Sequence, residues 1–308
     1  MIEFTRASMT GLPTFAAVLL VLVLGAALIE GIVKTWCGAP FDWRAYGCSL
    51  VDLLGRRAIE LLSLSLVASL LNFVWVHRLF DIPSDRAWTL PVLFVGQEFC
   101  YYWYHRASHS VRWLWATHAV HHSPNQLNFA AAYRLGWTGK LAGGVIFFAP
   151  LTWLGFPPLA VVAALGINLL YQFWLHADWI PKLGPLEWVL NTPSHHRVHH
   201  AANIDYLDAN FGGVLVVFDR LFGTYVEEQD DVPICFGLVR PLVSYNPLYI
   251  AFHEWLAMVR DLRHARSWRE AWNYLFGPPG WQPDGGTTTA ALRRARNGSQ
   301  PTPRMESA

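Results

Sequence analysis

Residues 87–109 read AWTLPVLFVGQEFCYYWYHRASH, an apolar stretch that runs directly into a pair of histidines. At about 1.5 Å per residue, a helix over Ala87–Tyr104 approaches the roughly 30 Å thickness of a membrane's hydrocarbon core. His105 and His109 follow four residues apart, and residues at that spacing share one face of a helix. The stretch therefore predicts a membrane-spanning helix that ends with two imidazole rings at the membrane surface.

Four more apolar runs extend this pattern along the chain. Leu12–Val33 and Ala58–Val76 are long enough to span a membrane, and the first is predicted to be a retained anchor because no small-residue cleavage site follows it. Leu141–Phe156 and Leu159–Leu175 are shorter, and two consecutive prolines separate them, so we expect a hairpin that enters the bilayer and returns. The predicted fold class is all-α, an integral-membrane helical bundle with about three spans and a hairpin.

The composition agrees with a membrane protein. Apolar residues make up 53% of the 308 residues and charged residues only 15%, against roughly 25% charged in an average soluble domain. A net charge of +1 gives no electrostatic footprint for nucleic acid. Lys34, Arg44, Arg56 and Arg57 fall between the first two predicted spans, and short basic loops stay in the cytoplasm. The histidine-rich end should therefore face the cytoplasm, and the predominance of Arg over Lys favours a bacterial inner membrane.

The chain is expected to divide into four segments. We predict N-terminal membrane spans over 1–86, a catalytic region over 87–230, a helical segment over 231–276, and a disordered tail over 277–308, where Gly, Pro, Thr and Arg dominate. The four cysteines lack the spacing of a metal site, so we expect free thiols, with a Cys37–Cys48 disulfide as the alternative.

The histidine content needs a chemical explanation, since the chain holds 13 His but only 3 Lys. Two triplets, over 118–122 and 196–200, place histidines at i, i+3 and i+4, so each triplet is expected to aim two or three of its rings at one point. Imidazole binds Fe, Zn, Cu and Ni. Because a structural zinc takes only four ligands, the clustered histidines are too many for one ion and fit two metal ions. The predicted ligands are His105, His109, His118, His121, His122, His176, His196, His199 and His200.

The other histidines are assigned differently. His77, His253 and His264 stand alone and are expected to be ordinary surface or core residues. His195 points about 100° away from His196 on a helix, so we predict that it supports the site rather than binds metal.

Several polar residues could orient the ligands. Glu98 lies two helical turns before His105 at the end of a predicted span, where an ionisable group is costly, so it should orient a ligand or bind metal itself. Asn128 and Asp219 could act on ligands in the same way, or could cap a helix or shape a turn, and the same holds for Gln172 and Asn210. The aromatic run over 101–104 suits a membrane interface and could line a substrate entrance.

These motifs resemble those of the fatty acid hydroxylase/sterol desaturase superfamily of integral-membrane di-iron enzymes, over about residues 90 to 225. Within it the chain looks most like the alkylglycerol monooxygenase branch. That branch usually has Asp at the position of Glu98, and Glu at the position of Ser110. The matching segments are Tyr101–His109, His118–His122, His196–His200, Asn210–Gly213 and Phe218–Thr224, with Gln172–His176 and Leu183–His196 for the branch.

The resemblance implies a His-rich helical cap that holds two irons, for which zinc could substitute on overexpression. It implies that O2 and two electrons hydroxylate an unactivated C–H bond of a lipid, such as a sterol, a fatty acyl lipid or an ether lipid. Loss of a second hydrogen would instead give desaturation. Because the sequence shows no dinucleotide-binding or cytochrome b5-like motif, we expect a separate donor: a ferredoxin or cytochrome with its reductase, or a tetrahydropterin.

The residues alone leave two other classes of protein as alternatives. A membrane haem electron carrier would place histidine pairs on facing spans near the middle of the bilayer, whereas here the histidines follow the spans in triplets. A zinc transporter or zinc hydrolase is the other class. The oligomeric state leaves no mark in the sequence.

Overall fold

The computed structural model describes residues 2–298, with side chains described from Ala17 to Asn297. Over these residues the chain is all-α, as predicted, and forms no β-strand. The α-helices in chain order are α1 (Ile2–Trp36), α2 (Trp43–Val76), α3 (Thr89–Ser110), α4 (Arg112–His122), α5 (Phe129–Ala132), α6 (Ala149–Leu154), α7 (Pro158–Leu175), α8 (Pro193–His199), α9 (Val217–Phe222), α10 (Pro247–Leu262), α11 (Trp268–Phe276) and α12 (Thr289–Gly298).

Three helices are long and apolar enough to cross a membrane, namely Ala17–Trp36 of α1, the whole of α2, and α7. These helices make the chain an integral membrane protein. Two of them overlap the predicted spans, although the side chains of residues 12–16 of the predicted anchor lie outside the described residues. The third differs from the prediction, because α7 qualifies and α3 does not. Gln97, Glu98 and the polar residues after them lower the hydropathy of α3, and both named side chains are buried inside the protein.

Helix α2 begins at Trp43 rather than at Ala58, where the apolar run starts. The Asp42 side chain caps the helix by accepting hydrogen bonds from the backbone N–H groups of Arg44 and Ala45 at 3.0 Å. Arg56 and Arg57 therefore lie in the helix, not in a loop between spans as the charge count assumed. Only residues 37–42 connect α1 to α2, so the cytoplasmic orientation stays a prediction.

The two short apolar runs form a helical hairpin, but its limbs are unequal, and α7 is long enough to span a membrane by itself. The descending limb is a 3₁₀ helix over Gly144–Phe148 followed by the short helix α6, and the returning limb is α7. Gly155 makes the turn at φ +124°, where a Cβ atom would lie 2.1 Å from the Phe80 carbonyl oxygen. The turn therefore needs glycine, because the hairpin packs directly on the connection between α2 and α3.

The membrane helices bring their ends to one side of the molecule. Lys34 near the end of α1 forms an ion pair with Asp178, just after α7, with 2.7 Å between Nζ and Oδ1. Helix α4 follows α3 after a single residue, and α10 packs along α4. As a result, the C-terminal ends of α3 and α7 meet α4 and α8 beneath a helical cap.

The C-terminal segment differs from the disordered tail predicted over 277–308. Residues 289–298 form α12, and the Arg293 guanidinium donates a 2.8 Å hydrogen bond to the Leu207 carbonyl. Arg296 forms an ion pair with Asp205. The arginines that suggested a solvated tail thus bind the 204–208 loop, while residues 299–308 lie outside the described residues. All four cysteines have free thiols.

Candidate metal centre

The nine histidines predicted as ligands gather into two adjacent groups, and the three isolated histidines belong to neither. Within each group one ring nitrogen per histidine lies within 4.8 Å of those of all the others. The five-histidine group consists of His105, His109, His118, His122 and His199. The four-histidine group consists of His121, His176, His196 and His200.

Each histidine triplet is divided between the two groups, so that two of its rings, rather than all three, meet in one group. In α4, His118 and His122 join the five-histidine group, while His121 joins the other group. In the α8 triplet, His199 joins the five-histidine group and its two neighbours join the four-histidine group. The division follows from helix geometry, because at about 100° per residue i and i+4 are about 40° apart, while i+3 points about 60° to the other side.

The facing ring nitrogens have the spacing of ligands that share an ion. The Nε2 atoms of His105 and His118 are 3.1 Å apart, and those of His176 and His196 are 3.2 Å apart. Two nitrogens bound to one ion at about 2.1 Å and at a right angle would be about 3 Å apart. The buried Nε2 atom of His199 has no hydrogen-bond partner among the described residues. The donor sets therefore fit metal ions, and with the family described below they suggest iron binding.

In four of the nine histidines the other ring nitrogen lies against a backbone carbonyl, which fixes the form of those four rings. His105 Nδ1 donates to the Phe211 carbonyl and His176 Nδ1 donates to the Gln172 carbonyl, both at 2.9 Å. A carbonyl only accepts, so Nδ1 carries the proton and a neutral ring presents the Nε2 lone pair to the centre. The same arrangement holds for His121 with the Arg134 carbonyl and for His199 with the Ala209 carbonyl.

The electrostatic surroundings favour neutral rings. Burial lowers the pKa of His121 to about 4. Burial also holds the pKa values of seven further rings well below the ordinary histidine value, and neighbouring imidazoles lower them further; these are His105, His118, His122, His176, His196, His199 and His200. The neutral imidazole is the form that binds a metal.

Asp219 supports the five-histidine group through the backbone. Its fully buried carboxylate accepts hydrogen bonds from the N–H groups of Phe211 and Gly212, each at 2.7 Å, and from the Thr224 hydroxyl. The Phe211 carbonyl in turn accepts from His105. Burial raises the pKa of Asp219 to about 6, although these hydrogen bonds lower it. The carboxylate therefore fixes the peptide that orients a candidate ligand.

Glu98 lies outside both histidine groups. Its carboxylate accepts hydrogen bonds from the N–H groups of Val214 and Leu215 at 2.7 and 2.8 Å, and from the Asn168 amide. The Gln172 side chain joins this network by donating to the Asn168 amide oxygen at 2.6 Å. The structure thus brings Glu98 to the loop after residue 212 and to α7, rather than to a ring nitrogen.

Asn128 and His195 have local roles in the structure. Asn128 caps α5 by accepting from the Ala131 N–H at 3.2 Å, which is the capping alternative. His195 is buried, with its Nε2 atom 3.4 Å from the Tyr225 hydroxyl and 4.0 Å from a Glu187 carboxylate oxygen. Its carbonyl accepts from the Asn210 side chain at 3.1 Å, so it contributes to the wall of the site and lies outside both groups.

Sequence reasoning missed the acceptors that hold the rings. Asp208 lies 3.4 Å from His109 Nδ1, and both Asp208 and Asn210 adopt left-handed backbone conformations, at φ +54° and +57°. The Asp-Ala-Asn-Phe-Gly-Gly run is a turn signal that could have indicated this loop. The carbonyls of Ala209, Phe211 and Arg134 carry no side-chain signal at all.

A largely apolar cavity of about 560 Å³ reaches the metal centre from the membrane-spanning part. His118, His121 and His176 line one part of it. Along α2, the side chains that line the cavity change from the charged Arg56 and Glu60 to apolar residues over the following turns. Helix α7 adds further apolar residues. The apolar lining includes Leu64, Val67, Ala68 and Leu71 from α2, and Val161, Val162, Leu165 and Leu169 from α7. Of these, Leu64 in α2 is 56% exposed, so the cavity is open to the accessible surface of this membrane-spanning helix.

The aromatic run predicted for the entrance is divided between two surfaces. Tyr101 and Tyr104 line the cavity, whereas Tyr102 is buried and stacks on Phe222 with ring centroids 5.2 Å apart. Trp103 lies on the outer surface of the bundle.

Comparison with known proteins matches the chain to one family model and to monooxygenases from several animals. Residues 90–224 match the family model described as fatty acid hydroxylase. The chain is 39% identical to human alkylglycerol monooxygenase over 212 residues, which cover 68% of this chain and 47% of the human protein. It is 35% identical to the zebrafish (Danio rerio) alkylglycerol monooxygenase over 264 residues, covering 84% of this chain and 58% of that protein.

A bacterial relative matches a shorter region. The ornithine lipid hydroxylase OlsE of Rhizobium tropici is 34% identical over 132 residues, covering 42% of this chain and 39% of that protein. The chain spans about half the length of the alkylglycerol monooxygenases it matches. No solved structure matches the chain.

Proposed function

The chain belongs to the fatty acid hydroxylase family, and from this premise we propose that it is a membrane-bound monooxygenase that hydroxylates an unactivated C–H bond of a lipid. In this proposal the two histidine groups hold two irons. The observation that carries it is the apolar cavity, because it connects the membrane-spanning helices to His118, His121 and His176. An apolar route is what a lipid needs to reach polar metal ligands.

The irons, when bound, would supply the activation of O2 with two external electrons. The chain's own residues would do the rest. The Nδ1–H groups bonded to backbone carbonyls hold the rings in one orientation, as metal-ligating histidines generally require. Leu165, Phe148 and the other apolar lining residues exclude water from the lipid chain.

The charges in the cavity wall would orient the lipid. Arg56 and Lys140 each lie 3.6 Å from the Glu60 carboxylate, and all three residues line the cavity. A polar head group is expected there, with the chain extending along the apolar residues of α2 towards Leu71. Carbons close to the head group would then lie next to the histidines, so hydroxylation should occur there rather than at the end of the chain.

The donor and the orientation complete the proposal. A separate ferredoxin or cytochrome with its reductase, or a tetrahydropterin, would deliver the electrons. The histidine groups would face the cytoplasm from a bacterial inner membrane, since Lys34 and Arg44 lie at that end of the membrane helices. The alkylglycerol monooxygenases and the ornithine lipid hydroxylase support a lipid with a polar head group as substrate.

The test is lipid turnover by the purified full chain, loaded with iron, in bilayer discs with a chemical reductant and 18O2. We expect one 18O atom in a lipid alcohol, placed near the head group when ether, fatty acyl and sterol lipids are supplied in turn. A desaturated product without 18O would show that the protein desaturates the lipid instead of hydroxylating it. A Soret band in the purified protein, or no O2-dependent product from the iron-loaded protein with any of these lipids, would contradict the proposal.

A further inference from the structure

A second cavity, of about 200 Å³, lies across a thin wall from the apolar cavity that is proposed to admit the lipid, here named the lipid cavity. The wall is formed by residues 131–135. Ala131 and Arg134 line the second cavity, whereas Ala132 and Leu135 line the lipid cavity. The two cavities differ in character, because the second is bordered by hydroxyl and amide side chains; these are Ser49, Ser123, Asn125, Gln126, Asn128 and Ser244.

Arg134 lines this cavity, and part of its guanidinium group lacks a hydrogen-bond acceptor among the described residues. Its side chain is 4% exposed, and its Nε atom has no hydrogen-bond partner among the described residues. Asp52 and Asp42 act on it only through space. The Asp52 carboxylate accepts from the Leu135 N–H at 3.0 Å and from the Trp137 ring at 2.8 Å, so it is already used. A buried guanidinium donor left unsatisfied is costly, which indicates that a ligand completes the site.

Asp42, whose carboxylate lines the second cavity, also has its oxygens engaged in hydrogen bonds. Asp42 accepts from two backbone N–H groups at the start of α2 and from the Tyr245 hydroxyl at 2.8 Å. Both of its oxygens are therefore engaged by other donors, and neither accepts a hydrogen bond from Arg134. The nearby amides have their oxygens in use, since Gln126 accepts from the Asp42 N–H at 3.0 Å and Asn128 accepts from Ala131. Their NH2 groups remain as donors for a ligand.

We propose that this cavity binds a small oxyanion, a phosphate or a short carboxylate, with Arg134 as its charged partner and the Gln126 and Asn128 amides as additional donors. The chemistry is donor-rich, and planar guanidinium groups suit both phosphate and carboxylate. The cavity volume fits a group of a few heavy atoms rather than a lipid chain.

The site is connected to the metal centre by one hydrogen bond. The Arg134 carbonyl accepts from His121 Nδ1 at 3.2 Å, and His121 belongs to the four-histidine group. An anion that draws the Arg134 side chain into the second cavity therefore acts on the residue that orients this ring. The oxyanion is thus expected to alter the environment of His121 as well as to bind.

The test is equilibrium dialysis of the full chain in a phosphate-free sugar detergent, with radiolabelled inorganic phosphate and acetate as separate probes. We expect saturable binding of at least one probe, and a loss of affinity of about tenfold or more in Arg134→Gln, since hydrogen bonds to a charged partner are lost. Lys140→Gln is the matched control, because it removes a cation from the lipid cavity instead, and it should leave binding unchanged.

Several results would overturn the proposal. These are no saturable binding of either probe, equal binding by wild type and Arg134→Gln, or an equal loss in Lys140→Gln, which would put the anion in the lipid cavity. If Arg134→Gln does not fold, Gln126→Ala keeps the test decisive, because it removes a half-buried donor and should weaken binding several-fold. The 15N resonance of His121 should shift on addition of the bound probe, and an unchanged resonance would contradict the connection.

Discussion

The two histidine groups share helices α4 and α8, yet their surroundings differ. The five-histidine group lies against the 208–212 loop, whose carbonyls accept from His105 and His199. The four-histidine group is held by α7 and by the 131–135 wall, and two of its members, His121 and His176, line the lipid cavity. Only His118 of the five-histidine group lines that cavity.

The two surroundings suit the two groups to different tasks. The five-histidine group is enclosed by a loop that Asp219 fixes, so it is suited to a stable ion. The four-histidine group adjoins both the lipid cavity and the polar cavity at Arg134. We therefore expect substitutions near the loop to change metal retention first, and substitutions near the cavity to change lipid turnover first.

The largest effect should come from removing one ligand from either group. His121→Ala and His199→Ala should each reduce O2-dependent lipid oxidation by at least about 100-fold, because outer partners of metal ligands alone cost roughly 10–100-fold. Both variants should still insert into membranes, which fractionation and detergent extraction would check. His253→Ala is the control and should be near neutral, since His253 belongs to neither group. Full activity in His199→Ala would remove the five-histidine group from the mechanism.

A smaller effect, confined to the cavity, should follow from Leu165→Trp. This residue of α7 lines the lipid cavity, so the larger ring should fill the space and lower turnover by roughly tenfold, while iron content stays unchanged. Ile167→Trp is the matched control, because Ile167 is on the same helix but 68% exposed and outside the cavity. Equal turnover in the two variants would show that the lipid does not use this cavity.

The smallest effect should come from Asp219→Asn, which acts on the loop. The amide cannot accept all the hydrogen bonds that the carboxylate takes, but Asp219 acts on His105 only through the Phe211 peptide, so iron retention against a chelator should fall by a few-fold at neutral pH. Because the pKa of Asp219 is raised to about 6, wild type loses its carboxylate charge as the pH falls through that value. The difference from the variant should therefore shrink below pH 6. Asp205→Asn, on the surface, is the control, and a pH-independent difference would contradict this role.

Much of the site followed from the sequence because histidine spacing is a side-chain signal. Eight of the nine candidate ligands were predicted from the spacing within three histidine clusters, and His176 from its place at the end of the hairpin; the structure brings all nine together. The division of each triplet between two groups was not predicted, although the angles between positions i, i+3 and i+4 account for it once the facing helices are in place. The Arg134 cavity was also missed, since its partners come from α2, the 123–128 segment and the loop before α10.

The fold was predictable to a similar degree, and the errors in its prediction have one cause. Hydropathy marks which residues could lie in lipid, but not which residues a neighbouring helix covers. Helix α3 was predicted to span because of its apolar residues, yet its polar face packs inside the protein. The second span was predicted over Ala58–Val76, yet the helix that contains it begins earlier, at the Asp42 cap, so that Asp52 lies where it can bind the 131–137 segment.

The most direct test of the central claim is the iron content per chain of purified protein reconstituted with Fe(II) and freed of excess metal. Two adjacent histidine groups predict about two irons per chain in wild type, and about one in both His121→Ala and His199→Ala. One iron per chain in wild type, or two irons in either variant, would contradict the assignment of one ion to each group.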